Sequence, residues 1–266
     1  MNSNQDPMGR AIADYWKNKT ADRLRVFSPM FEEDEIPLQT LFRKYDEMPE
    51  IERKAIDMAK GRVLDVGAGA GCHSLVLQER GINVTAIDIS PLSVETMLQR
   101  GFTNVFQHDF FTFQGTYDTI LMLMNGIGII GTQTRMPEFF QHLNHILAPE
   151  GQLLCDSSDI RYLFEDEDGC FDYPGNGYYG EQVFHMQYKD IIGKPFPWLY
   201  TDENTLQKEA LKNGFRAEIV AEGKPTIIWQ ESPESDTGTS TAQPQSFFHS
   251  HNTVIAPTTQ NTKLVR

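Results

Sequence analysis

Three aspartates, Asp65, Asp88 and Asp109, each stand where an apolar run of the sequence gives out, and the first is followed by Gly67, Gly69 and Gly71. Carboxylates at such points accept hydroxyl and amine donors, and glycine lets the backbone approach a ligand that a side chain would hold off. The run Val63-Leu64-Asp65-Val66 is apolar and β-branched enough for a buried strand. Beyond the glycines, Cys72, Leu75, Val76 and Leu77 suit one face of a helix that Gly81 ends. Strand, glycine turn and helix make a unit that cradles a cofactor. Its spacing speaks against a dinucleotide, because Gly-x-Gly-x-x-Gly read from Gly67 needs a glycine where Cys72 stands. Asp88, at the end of a second predicted strand over 82–87, can accept both hydroxyls of a ribose, with Ile89 beside it to cover an adenine face. The alternative, a cap for the helix that starts at Pro91, is already served by Ser90.

These acids need elements to bring them together. Residues 91–100 predict a helix closed by Gly101, and 104–108 a third strand with Asp109 and Phe110 after it. Residues 117–124 predict a fourth strand, apolar almost throughout, as burial on both faces requires. A helix over 135–147 and a fifth strand over 151–156 continue the alternation. Such alternation gives an open, mostly parallel sheet whose ligands collect outside the carboxyl ends of the strands, so the three acids should border one crevice. Farther on, a helix over 202–213 ends at Gly214, and 215–221 pairs with 226–229 as a hairpin across Gly223-Lys224-Pro225.

With its Gly-x-Gly-x-Gly frame and an acid inside the strand end, the stretch 63–71 resembles the first motif of the class I S-adenosylmethionine (SAM) dependent methyltransferases. The resemblance covers roughly 63–229. It implies an α/β fold: a Rossmann-like, seven-stranded, mostly parallel sheet with an antiparallel C-terminal hairpin. It also implies SAM as cofactor, released as S-adenosylhomocysteine. Asp65 would lie near the methionine ammonium, and Gly67, Ala68, Gly69 and Gly71 would approach the sulfonium arm. Asp109 would take the adenine amine, with Phe110 packed on the ring, and Met124 with Asn125-Gly126 would border the methyl group. Family members that methylate planar amines in nucleic acids or glutamine often carry Asn-Pro-Pro-Tyr at this last place; Asn125-Gly126-Ile127-Gly128 departs from it and speaks against that substrate class. The family also sets a helix beside the SAM site ahead of the first motif. Arg43, within a helical pattern over 37–60 interrupted near Pro49, either reaches the methionine carboxylate or is a surface arginine.

Residues 7–17 predict a helix capped by Asp6 with Pro7 at its first position, a lid or an oligomer contact. Residues 23–27 suggest a short edge strand, and 31–36 an acidic, solvated turn. The chain thus divides into an N-terminal lid segment over 1–60, a SAM domain over 61–230 and a tail over 231–266 rich in Ser, Thr, Gln and Pro that is expected to be disordered. Within the domain, 157–201 holds six tyrosines, four phenylalanines and one tryptophan without helical period, which predicts a β-rich insertion with a hairpin strand at 182–192. Additions at this point build the substrate pocket in the family the chain resembles.

Methyl transfer is an in-line displacement that needs positioning more than a covalent partner, so the sequence fixes no catalytic residue. The candidates are His73, Tyr178 and His185. His73 lies in a first helical turn, where the dipole disfavours the cation and leaves the imidazole as a base. Tyr178 and His185, with Tyr179 and Tyr188, lie in the insertion, and each reads equally as packing or surface.

A formal net charge of -14 is the opposite of the basic footprint that nucleic-acid binding needs, so the expected partner is a small molecule. Cys72, Cys155 and Cys170 are odd in number and lack metal-ligand spacing, which suggests buried thiols; His142 and His145 share a helical face without a carboxylate, so no metal is expected. No basic segment followed by an apolar run opens the chain and no apolar stretch has membrane-spanning length, so a cytoplasmic protein is expected. The resulting reading is a SAM-dependent methyltransferase. Three alternatives stay open: a SAM-binding protein that transfers nothing, an aminopropyltransferase with the acids of 165–168 as its polyamine site, and a nucleotide-dependent oxidoreductase, which the missing glycine at Cys72 disfavours.

Overall fold

Helix α1 (Pro7–Asn18) starts as its first residues dictate: Pro7 lacks an N–H that would go unpaired in any case, and Asp6 Oδ1 accepts the Gly9 N–H at 2.8 Å. The computed structural model that shows this describes residues 3–223 and 250–257. Strands β1 (Leu24–Phe27) and β2 (Asp34–Ile36) follow, then two short 3-10 turns and α2 (Glu50–Met58). The helix expected over 37–60 is therefore reduced to its last part, because Pro37 and Pro49 hold the residues before them extended and stand at the start of the first 3-10 turn and of α2.

The principal sheet begins at β3 (Arg62–Val66), passes through α3 (Cys72–Glu79), β4 (Asn83–Asp88), α4 (Pro91–Gln99), β5 (Val105–Gln107), β6 (Tyr117–Met122) and α5 (Met136–Ile146), and reaches β7 (Leu147–Ser158). An antiparallel excursion, β8 (Glu181–Tyr188), β9 (Ile191–Ile192) and β10 (Phe196–Leu199), precedes α6 (Glu203–Lys212), β11 (Phe215–Gly223) and β12 (Ser250–Pro257). The seven strands of this sheet lie in the order β11-β12-β7-β6-β3-β4-β5; β7, β6, β3, β4 and β5 run parallel, and β12 runs antiparallel to both its neighbours, β7 and β11. This is the class I methyltransferase architecture. Helices cover both faces, as a parallel sheet requires. Ala55, Ile56, Val76, Leu77 and Met97 from α2, α3 and α4 pack on one face, and Phe139, Phe140, Leu143 and Leu206 from α5 and α6 on the other.

The C-terminal hairpin is present with a different partner. β11 pairs with β12, and β12 also pairs with β7, from Ser250↔Ser158 to Ile255↔Leu153. The predicted strand 226–229 lies outside the described residues, and the segment 231–266, expected to be disordered, contains β12. A run such as Thr253-Val254-Ile255 is a normal inner strand, hidden in the sequence by its polar surroundings.

A second, five-stranded antiparallel sheet has the order β10-β8-β1-β2, with β9 on β8. It corrects two expectations. β1 is an inner strand between β8 and β2, not an edge, and 34–36 is a strand in register with it, Leu24 facing Ile36, not a solvated turn. Leu24, Val26, Phe184 and Tyr188 from this sheet bury against Ala11 and Ile12 of α1. Trp198 of β10 packs on the backbone of Gly128, where a Cβ would fall inside the indole.

Candidate functional site

The loop after β3 turns through Gly67, Gly69 and Gly71, with φ of 68°, 57° and 81°, values that L side chains rarely adopt. Gly67 and Ala68 donate N–H bonds to the Ile87 carbonyl, which ties the loop to the end of β4. A Cβ at Gly71 would lie 2.8 Å from Met97 Cγ, so this glycine serves packing. At Gly67 a Cβ would meet no atom within 4 Å, and at Gly69 only the Gly67 carbonyl at 4.0 Å, so these two leave open space above the loop.

Asp88 borders that space. Its Oδ2 accepts the Gly69 N–H and its Oδ1 the Ser90 N–H, both at 2.8 Å. Each oxygen keeps a lone pair for a ligand hydroxyl. Burial pushes its pKa up to about 6 against those two bonds, with Asp6 and Asp65 adding to the rise. Ser90 in turn caps α4 through the Ser93 N–H at 2.9 Å and donates its hydroxyl to Asp6 Oδ2 at 2.5 Å, so α1 is fastened beside Asp88. The cleft is lined by Val66, Gly67, Ile87, Asp88, Ile89, His108, Phe110 and Ile129. Ile89 is exposed and Phe110 buried. Asp109, between His108 and Phe110, turns its Oδ1 to the Phe111 N–H at 2.8 Å and starts a 3-10 turn, outside the cleft lining. His108 and Ile129 were missed in the sequence.

Asp65 is buried and accepts the Ser74 hydroxyl at 2.5 Å, which pins the first turn of α3; burial raises its pKa. Open space above glycines, a carboxylate with spare lone pairs and an apolar ring slot are features that fit the adenosyl part of SAM.

His73 is not a free base. Its Nε2 lies 2.8 Å from Glu52 Oε2, and Glu52 also receives both its bonds from Arg43 Nη2, at 2.8 and 2.9 Å. Burial alone would lower the His73 pKa, but the neighbouring Cys72 and Glu52 side chains more than offset it, and the imidazole is held well above its ordinary range. Arg43 is not a surface arginine: its side chain is 12% exposed and its Nη2 is bonded to Glu52, while its Nε has no partner.

The other two candidates also stand elsewhere. The Tyr178 hydroxyl donates to Asp202 Oδ2 at 2.6 Å and accepts the Asp202 N–H at 3.0 Å; burial and that carboxylate push its pKa up to about 12. It braces the start of α6. His185 stacks on Phe27 at 4.8 Å, on the face of β8 opposite the core residues Phe184 and Tyr188. Cys170 is exposed, whereas Cys72 and Cys155 are buried as expected.

Past the end of β6, the neighbour of β3 on the side away from β4, Met124 and Asn125 have φ of 62° and 58°, uncommon for residues other than glycine. The turn is set by Asp156 Oδ2, which accepts the Asn125 N–H at 2.9 Å, and by Asn125 Oδ1, which accepts the Ser158 N–H at 3.1 Å. Asn125 Nδ2 and Asp156 Oδ1 are buried without partners. Burial pushes the Asp156 pKa up to about 7. Its one sequence signal was an acid closing the apolar run of the fifth strand.

Residues 34–218 match the family model for a methyltransferase domain. A SAM-dependent methyltransferase from Bacteroides fragilis, solved in complex with S-adenosyl-L-homocysteine, is 49% identical, with a TM-score of 0.82 over 97% of each chain. The CcbJ methyltransferase from Streptomyces caelestis shares the fold at 14% identity, with a TM-score of 0.54 over 82% of this chain and 98% of its own. The curated protein YqeM of Bacillus subtilis (strain 168) is 30% identical over 117 residues, 40% of this chain and 47% of its own, so the match spans about half its length. The chain belongs to the methyltransferase domain family, as a SAM-dependent class I member. No helix among the described residues is long and apolar enough to cross a membrane.

Proposed function

We propose that the chain transfers the methyl group of SAM to a small-molecule acceptor held between the carboxyl ends of β3, β6 and β7 and the second sheet. The observation that carries this reading is the open space above Gly67 and Gly69, bordered by the carboxylate of Asp88. Bound there, SAM supplies an electrophilic methyl. Asp88 would hold the ribose, Ile89 and Phe110 the adenine, and Gly67 to Gly71 the backbone side of the methionine arm. Asp65 would act through Ser74 by fixing α3. Asp109 would reach the adenine amine with its second oxygen.

The domain over 61–230 would then carry the cofactor, with 1–60 and 157–201 covering the acceptor. The small-molecule class is supported by the acidic net charge of -14 and by Asn125-Gly126-Ile127-Gly128 in place of Asn-Pro-Pro-Tyr. Aminopropyl transfer is disfavoured because the acids of 165–168 are exposed, with Asp166 Oδ1 accepting N–H bonds within its own turn. Three cysteines that form no disulfide suit a reducing, cytoplasmic setting.

The test is thermal unfolding with S-adenosylhomocysteine, NAD or ATP. A ligand at about 100 times its Kd stabilises by roughly 2.7 kcal/mol, a rise of several degrees for a chain of this size. We expect a rise with S-adenosylhomocysteine alone. A rise with NAD, or with none of the three, overturns the reading.

A further inference from the structure

Two buried atoms of opposite hydrogen-bonding sense sit at the ends of neighbouring strands. Asn125 Nδ2 is a donor and Asp156 Oδ1 an acceptor, each residue is 6% exposed, and neither atom has a partner. Nearly all buried polar atoms in folded proteins are paired, so two orphans on adjoining residues call for a ligand or a trapped water. Their backbone adds to the anomaly. Met124 and Asn125 hold consecutive positive φ values, and such strain persists where the surroundings impose it, often at ligand sites. Both second atoms, Asp156 Oδ2 and Asn125 Oδ1, are already bonded to backbone N–H groups, which fixes the two side chains in place.

The strand order says what such a ligand would be. Along the row β7-β6-β3-β4, Asp156 and Asn125 lie on one side of the glycine loop and Asp88 on the other. Neighbouring strands are about 4.8 Å apart, so the pair is roughly 10–15 Å from the ribose acid. Resting on the reading of the cofactor site given above, we propose that Asn125 and Asp156 form the acceptor subsite, holding an amine that donates an N–H to Asp156 Oδ1 and presents a neighbouring oxygen to Asn125 Nδ2. This leaves the nitrogen lone pair free. That pair forms the N–C bond, the C–S pair stays on sulfur, and the proton of the nitrogen moves to Asp156 Oδ1.

The charges around Asp156 favour an amine over an alcohol. Glu52 of α2 and His73 of α3 face it with opposite charges, and the Cys155 thiol is its neighbour on β7. A carboxylate that titrates at about 7 can take a proton from an ammonium but is a poor base for an alcohol.

The test uses two probes on the full chain: S-adenosylhomocysteine, and sinefungin, in which an amine stands at the position of the transferable methyl. For Asp156→Asn we expect the Kd of S-adenosylhomocysteine to stay within about twofold, while sinefungin weakens roughly tenfold or more, the loss of one charge-assisted hydrogen bond. In the wild type, the preference for sinefungin over S-adenosylhomocysteine should rise several-fold as Asp156 ionises from pH 6 to pH 8. A preference that stays flat with pH, equal weakening of both probes by the variant, or no weakening of sinefungin overturns the subsite and assigns the pair to a structural or water-bridging role. A wild type that binds neither probe overturns the cofactor reading itself.

Discussion

Asp88 fastens the glycine loop and the start of α4 with the same carboxylate that faces the cleft. Asp88→Ala should therefore weaken S-adenosylhomocysteine about 100-fold or more by calorimetry, since it removes bonds to the ligand and loosens the loop together. Ligand hydroxyls donate to the ionised form, so affinity should fall as pH drops through about 6. The same variant, where binding is measurable, should lack that acid limb. The Arg43–Glu52–His73 trio gives a second residue-level test. Glu52→Gln leaves two buried cations without their anion and should cost about 3–5 kcal/mol in urea unfolding. The His73 pKa is raised on folding, so its contribution is present below about 6.5 and lost as pH climbs through the folded value. His73→Gln should lack this alkaline decline. Asp65 and Asp88 were legible in the sequence because each closes an apolar run beside glycines or a cap. The state of His73 was not, because its partner lies 21 residues away on another helix. The resemblance put Asn125 beside the methyl group, but Asp156 escaped for a related reason: it is a single polar residue closing a strand, and only the fold makes the two neighbours.

Elements with strong period were readable: α1, α3 to α6 and the five parallel strands appear within a few residues of where spacing put them. β2 was not, since Asp34-Glu35-Ile36 has one apolar residue and becomes a strand only through β1. β12 was hidden by distance: the sequence offered β11 a partner a tight turn away, and its real partner begins at Ser250. The interlock between the sheets lends itself to a single substitution. Gly128→Ala drives a methyl into Trp198, and overpacking of this kind costs about 1–3 kcal/mol. Thermal unfolding should show a loss of roughly 2–10 °C, and Trp198→Leu should return part of it.

On the scale of the whole molecule, β12 bridges β7 and β11. A chain stopped after Trp229 would leave the facing edges of both strands unpaired. It should melt at lower temperature than the full chain and elute as larger species in size-exclusion chromatography. A truncated chain with unchanged melting and elution would mean that β12 adds nothing to the sheet. The second sheet has a different lesson. Its strands come from the first 36 residues and from the stretch after β7, and α1 ties them to Ser90 through Asp6 and to Tyr188 through Asp14. The cover is thus one body written in two distant passages of the chain. Recombination with a relative can exchange it only when both breakpoints are crossed together; a hybrid that inherits one passage receives half a sheet, with β1 and β8 cut from a partner shaped to another register.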